Sequence, residues 1–214
     1  MARESGGKES PLGRRDLKSR STAWAQRSAA VLSASAITPN QISLLSLVFA
    51  ACGGAVIFWL DGGWLLLAAL CVQLRLLCNL MDGMVAVEGG KASPEGLLYN
   101  ELPDRLADAF FLVPLGYFLE ADWLGWLLAL LAVFTAYLRL LGGALGQVQD
   151  FSGIMAKQRR MALLTLGLAA QAAETLLYGT QISLLLTAGL LLAGTALTCV
   201  TRTLAIARRL REAG

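Results

Sequence analysis

Two stretches hold the residues that could do chemistry: CNLMDGMVAVEGG, residues 78–90, and GLLYNELPDRLAD, residues 96–108. Both lie in apolar runs, where an ionisable group is costly unless it faces a cavity or a partner. Arg75, Asn79, Asp82, Gly83 and Ala86 fall within about 100° of arc at about 100° per residue, so they form one stripe. Asn100, Asp104 and Asp108 recur at i, i+4 and i+8 and share a helix face, with Glu101 at its margin. Pro103 has no N–H to give the Tyr99 carbonyl, which frees a backbone acceptor beside these carboxylates. Across the short turn, Asn79 and Asp82 reach the depth of Asn100 and Asp104. Arg75 and Asp108 lie deeper, where a buried ion pair between them would floor the site. Two Asp and two Asn at matched depth make an all-oxygen set, suited to a hard cation such as Mg²⁺, Mn²⁺ or Ca²⁺. A divalent ion, a carboxylate and nearby basic residues are the parts that phosphoryl transfer uses. Any one of these residues alone reads equally well as interhelical glue or a structural ion pair; the spacing of the set favours a site.

The elements that must position them are membrane helices. The chain has 214 residues, 56% of them hydrophobic and 15% charged, against roughly 25% charged in soluble domains, and its mean hydropathy is +0.60. Six segments approach or exceed the about 20 apolar residues needed to cross a bilayer: 41–60, 64–87, 96–119, 123–145, 161–178 and 182–206. The expected fold is therefore an all-α integral membrane protein with six transmembrane helices. Residues 1–37 form a basic tail, 38–207 the membrane domain and 208–214 a basic C-terminal tail. Asp61, Glu120 and Asp122 mark turns on one side. Lys and Arg residues cluster on the other: Arg14, Arg15, Lys18, Arg20 and Arg27, then Lys91, then Lys157, Arg159 and Arg160, then Arg208, Arg209 and Arg211. The positive-inside rule puts both termini and the polar site at the cytoplasmic face of the cell membrane. The basic tail reads either as an amphipathic surface helix or as a disordered topology anchor. Thr38 is placed to cap the first span, with Pro39 at its first position. The chain has no His, which excludes histidine acid–base and metal chemistry, and its four cysteines lie in apolar runs as packing residues.

The string Asn79-x2-Asp82-Gly83-x2-Ala86-Val87-x8-Gly96-x3-Asn100-x3-Asp104 resembles the signature of the CDP-alcohol phosphotransferases, D-x2-D-G-x2-A-R-x8-G-x3-D-x3-D. Every spacing holds and five of eight defined positions match; Asn79, Asn100 and Val87 depart. ITPNQISLLSLV also looks like the segment that opens the family's first span, so the resemblance covers Thr38 to about Arg160. It implies a transferase that moves the phosphoalcohol of a CDP-linked donor to a hydroxyl acceptor and releases CMP. Carried over, Asn79, Asp82, Asn100 and Asp104 are metal ligands for one or two Mg²⁺ or Mn²⁺ ions, and Asp104 is the base. Gly83, Ala86 and Gly96, with Asp82, receive the cytidine nucleotide. Arg139, Lys157 and Arg160 resemble residues of an acceptor or phosphate pocket. Chains of this size usually resemble phospholipid synthases, so CDP-diacylglycerol is the expected donor. A bilayer is the expected setting, a homodimer is compatible with the fold, and no nucleic-acid partner is expected.

The departures sharpen the expectation. Two Asn in place of Asp lower the ligand charge by two, which weakens metal binding or removes one ion. Glu101 and Asp108 could restore that charge, or Asp104 and Asp108 could act one turn along as the last two acids. Lys91 could stand in for the arginine absent at Val87. The competing classes are a non-catalytic member that binds nucleotide or lipid, and a small transporter. The apolar run AFFLVPLGYFL beyond Asp108 argues against a transport path.

Overall fold

The computed structural model describes residues 22–213, and Arg14, Arg15, Lys18 and Arg20 lie outside them. The helices are α1 (Ala23–Ala34), α2 (Pro39–Trp59), α3 (Leu65–Val87), α4 (Gly96–Phe118), α5 (Asp122–Ala144), α6 (Lys157–Tyr178) and α7 (Ile182–Ala213). A 3-10 turn at Gly62–Trp64 leads into α3, and there is no strand among the described residues. Five helical segments are long and apolar enough to cross a membrane. The 23-residue α4 is as long as α3, but Glu101, Asp104, Arg105 and Asp108 crowd its first half. The charges that depress its hydropathy are the candidate site itself.

The six long helices close into a ring. Neighbours pack in the order α2, α3, α6, α7, α5, α4 and back to α2. The consecutive helices α3 and α4 pack chiefly on α2 rather than on each other, so their polar stripes flank an open centre. One half of the interior is apolar: Phe111, Leu112, Leu115, Leu128, Leu164 and Leu168 are fully buried. Phe111, Leu112 and Leu115 follow Asp108 on α4 and belong to this apolar core. Large exposed side chains such as Leu66, Leu70, Trp126 and Leu130 lie on the outer faces, where lipid rather than water is their natural solvent.

Local chemistry explains the boundaries. Thr38 Oγ1 accepts from Gln41 N at 3.3 Å and Gln41 Oε1 accepts from Thr38 N at 3.0 Å, a reciprocal cap on α2 with Pro39 at its first position. Glu174, the stray charge of the fifth apolar segment, caps the next helix: its carboxylate accepts from Ile182 N at 2.8 Å and Ser183 N at 2.7 Å. Helix α1 buries Ala25 and Ala29 in a cluster with Met84 and Val85 of α3. Cys71, Cys78 and Cys199 are buried and Cys52 is exposed; none forms a disulfide.

Pro114 leaves the Phe110 carbonyl without its helical donor, and Gly54 of α2 rests against that carbonyl. A Cβ at Gly54 would run into this backbone oxygen, which no rotamer change can move. Gly54→Ala therefore costs about 1–3 kcal/mol by overpacking, read as a lower unfolding temperature in detergent. An unchanged unfolding temperature would show that the α2–α4 contact tolerates a methyl group.

Candidate functional site

The centre of the ring opens into a cavity of about 990 Å³. From α3 it is lined by Asn79, Asp82, Gly83, Ala86 and Val87, and from α4 by Gly96, Asn100, Glu101 and Asp104. Arg139 of α5 and Lys157 and Arg160 of α6 complete the opposite wall. The helical periods thus bring every residue of the motif to one space. Trp24 of α1 and Asn40 and Ser43 of α2 close the rim. Asp108 and Arg75 lie beneath the cavity rather than on its wall, 1% and 0% exposed.

The floor is an ionic network. Arg75 Nη2 donates to Asp108 Oδ1 at 3.2 Å, which is the deep ion pair the helix depths predict, and also to Asp104 Oδ1 at 3.2 Å and to the Asp104 carbonyl at 3.3 Å. Arg160 Nη2 donates to the other oxygen of Asp108 at 2.5 Å. Asp108 therefore sits between two buried guanidinium groups and is not free to add a ligand oxygen to the cavity. Asn79 Nδ2 donates to Asp104 Oδ1 at 2.5 Å, Arg105 Nη2 lies 3.5 Å from Asp104 Oδ2, and Lys157 Nζ donates to the same Oδ2. Burying charges is unfavourable unless each is paired and hydrogen-bonded. Here three helices, α3, α4 and α6, supply opposite signs at matched depth.

Asp82 has a different setting. It is 4% exposed, and Ser43 Oγ donates to its Oδ2 at 2.6 Å. The Gly83 N–H lies beside the carboxylate, and Oδ1 is buried without a hydrogen-bond partner. No Lys or Arg pairs with Asp82 among the described residues. Ser43 escaped the sequence reading because serine is common in membrane helices as a local back-bonding residue, and Ser43 also reaches the Pro39 carbonyl at 3.2 Å.

Glu101 and Lys91 do not fill the places their charges suggested. Glu101 Oε1 accepts from Arg139 Nη2 at 2.5 Å, and Arg139 also donates to Gln149 at 2.9 Å and stacks over Phe151 at 5.0 Å. Glu101 is thus the partner of a cavity arginine. Lys91 Nζ donates to the Ser35 carbonyl at 2.5 Å and the Ile37 carbonyl at 3.1 Å, tying the α3–α4 turn to the α1–α2 junction. It lines the rim, but its ammonium is held by backbone and not presented in the place of the arginine missing at Val87. Asn100 is exposed at the cavity wall. A Cβ at Gly96 would meet Ser93 Oγ at 3.7 Å, an ordinary contact.

Arg202 of α7 is a cavity residue that hydropathy could not single out. It donates to the Ser152 carbonyl at 3.0 and 2.7 Å and to the Thr135 carbonyl at 2.5 Å, fastening the α5–α6 connection across the ring. In that connection, burial pushes the Asp150 carboxyl up, but the Ser152 N–H at 2.8 Å and the nearby Arg209 hold it below the usual range. These contacts fix the strand of chain that carries Gln149 and Phe151 against Arg139.

A divalent ion finds one opening here. The free oxygen of Asp82, with the neutral amide oxygens of Asn79 and Asn100 on the same cavity, matches a hard cation in kind. No three carboxylate, thiol or imidazole groups converge as a metal set among the described residues. A second ion at Asp104 does not fit, because cationic and amide donors already surround that carboxylate.

The sequence matches no family model and no curated protein. Solved structures do match the fold. The phosphatidylinositol phosphate synthase of Mycobacterium tuberculosis with CDP-DAG bound is 18% identical, with a TM-score of 0.71 over 85% of this chain and 92% of that one. The same synthase in complex with manganese and citrate is 19% identical, with a TM-score of 0.72 over 85% and 88%. Its apo form is 18% identical, with a TM-score of 0.68 over 83% and 93%. The chain shares the fold of that synthase.

Proposed function

We propose that this chain is a CDP-alcohol phosphotransferase of phospholipid biosynthesis, moving a phosphatidyl group from CDP-diacylglycerol to a hydroxyl acceptor with release of CMP. One observation carries the reading: Asp82 and Asp104, from two helices, face a single cavity of about 990 Å³ at the spacing of the signature. The fold shared with a synthase whose structure holds CDP-DAG supports it. In this reading all six long helices span the cell membrane, α4 included, with both termini and the cavity mouth at the cytoplasmic face. The clustering of Lys and Arg on the cavity side supports that orientation.

The chain's residues then have separate tasks. Ser43 holds the Asp82 carboxylate by one oxygen, and the other is buried without a hydrogen-bond partner at the cavity wall. Gly83, Ala86 and Gly96 leave room along one wall for the cytidine nucleotide. Asp104 gives up its long 3.5 Å contact with Arg105 and takes the proton of the acceptor hydroxyl as the hydroxyl oxygen bonds to the donor phosphorus; the phosphorus–oxygen bond to CMP breaks and CMP departs. Arg139, Lys157 and Arg160 form the wall toward which the phosphates of donor or acceptor would turn. That charge favours a phosphorylated or acidic acceptor. A divalent ion held by Asp82 with Asn79 and Asn100 would neutralise pyrophosphate charge when bound.

The test is CMP formation from CDP-diacylglycerol with Mg²⁺ or Mn²⁺ and a panel of glycerol phosphate, inositol phosphate and serine. Metal-dependent CMP with one acceptor is the expected result; none with any acceptor, in folded protein, sinks the enzyme reading. A second reading, a non-catalytic protein of the same fold that binds nucleotide or lipid, is favoured by the donors crowding Asp104. It predicts saturable CDP-diacylglycerol binding with no CMP.

A further inference from the structure

Asp104 is surrounded in a way that leaves a metal no coordination site. A carboxylate offers about four lone-pair directions over its two oxygens. Oδ1 accepts from Arg75 at 3.2 Å and Asn79 at 2.5 Å. Oδ2 faces Arg105 at 3.5 Å and accepts from the Lys157 ammonium. Each of these four neighbours is a donor. Asn79 directs its NH₂ group at Asp104, which makes it a bridge between the two walls at that point.

Asp82 presents the opposite pattern. Its carboxylate is buried, one oxygen lacks a hydrogen-bond partner, and no Lys or Arg pairs with it among the described residues. The charges of Asp104 and Lys157 are close enough to act on it, so the two acids share one electrostatic site. One acid is neutralised from within the chain, and the other is left for a cation from outside.

We propose that the Lys157 ammonium stands at Asp104 in the place of a second divalent ion, so that the site carries one exchangeable metal, at Asp82, and one built-in cation. The two asparagines fit this arrangement. Asn79 and Asn100 remove two negative charges relative to the signature, and one divalent ion fewer removes two positive charges. The built-in cation also has a geometric advantage: Lys157 is the first residue of α6, so the ring itself sets its distance from α4. The inference rests on the transferase reading for the meaning of the site, but its test needs no turnover.

The test counts Mn²⁺ bound to the full chain in detergent, by equilibrium dialysis and by the electron paramagnetic resonance of free Mn²⁺, with Mn²⁺ as the only ligand. One ion per chain is expected. Asp104→Asn should leave the count at one ion, and Asp82→Asn should abolish it. Lys157→Met should gain a second ion that the added Asp104→Asn change removes. Two ions in the unaltered protein, no ion, or loss of the ion in folded Asp104→Asn protein overturns the proposal. So does a count that stays at one in folded Lys157→Met protein. Where Lys157→Met does not fold, the Asp104→Asn arm decides alone. A chain that binds one ion yet forms no CMP overturns the transferase reading and leaves this one standing. CMP formation with two bound ions does the reverse.

Discussion

Asp82→Asn lowers CMP formation by about 10³-fold or more while leaving the fold in place. The size follows from what the site loses. A carboxylate that holds a cation against a pyrophosphate contributes several kcal/mol to the transition state, and about 1.4 kcal/mol is a factor of ten in rate. The fold survives because the change is isosteric and keeps the buried contact. Ser43 Oγ, now 2.6 Å from Asp82 Oδ2, can donate equally to an amide oxygen. No cation pairs with Asp82 among the described residues, so no buried charge is orphaned by the change. Activity and unfolding temperature therefore separate: the first collapses and the second holds. Ser43→Ala acts through orientation alone and has the smaller effect, about tenfold. Retention of more than a tenth of the activity in Asp82→Asn would remove Asp82 from the centre of the mechanism.

The largest stability effect belongs to Asp108. Its two oxygens meet Arg75 at 3.2 Å and Arg160 at 2.5 Å, and all three side chains are at most 1% exposed. Asp108→Ala leaves Arg160 without its one carboxylate partner and Arg75 with only Asp104. Breaking a buried ion pair from one side costs about 3–5 kcal/mol, because the remaining charge stays desolvated. The double change Asp108→Leu with Arg160→Met removes both charges and recovers most of that loss, since apolar replacements of buried pairs are often neutral. Thermal unfolding of the single and double variants in detergent checks both statements. Equal destabilisation by the two would mean that volume, not charge, governs this floor. Arg75→Met belongs to the same test, for Arg75 bridges Asp104 and Asp108 of α4; folded and fully active Arg75→Met protein would show that the bridge is dispensable.

Much of this molecule was legible in one dimension because a bilayer imposes strong rules. The apolar segments at 41–60, 64–87, 96–119, 123–145 and 161–178 coincide with helices α2 to α6 to within four residues, since backbone polar groups in lipid must be satisfied within the helix; the segment at 182–206 falls short, because α7 continues to Ala213 through the expected C-terminal tail. Helical periodicity alone aligned Asn79, Asp82, Asn100 and Asp104 to one space, and depth alone paired Arg75 with Asp108. Local composition also placed the Thr38 cap.

What the chain's order could not decide is which charges meet across the ring. Lys157 is separated from Asp104 by 53 positions, and Arg160 from Asp108 by 52. Their pairing depends on α6 standing across the ring from α4, a packing choice that no periodicity encodes. The same holds for Glu101, which could have served a metal and instead meets Arg139, and for Lys91, whose ammonium is held by backbone carbonyls of the α1–α2 junction. A sequence shows how many charges a site owns and on which helix faces they lie. Only the ring, through the distances at which opposite charges are buried together, separates the acids of the site that are paired by the chain from the one without a cationic partner among the described residues. Here that acid is Asp82.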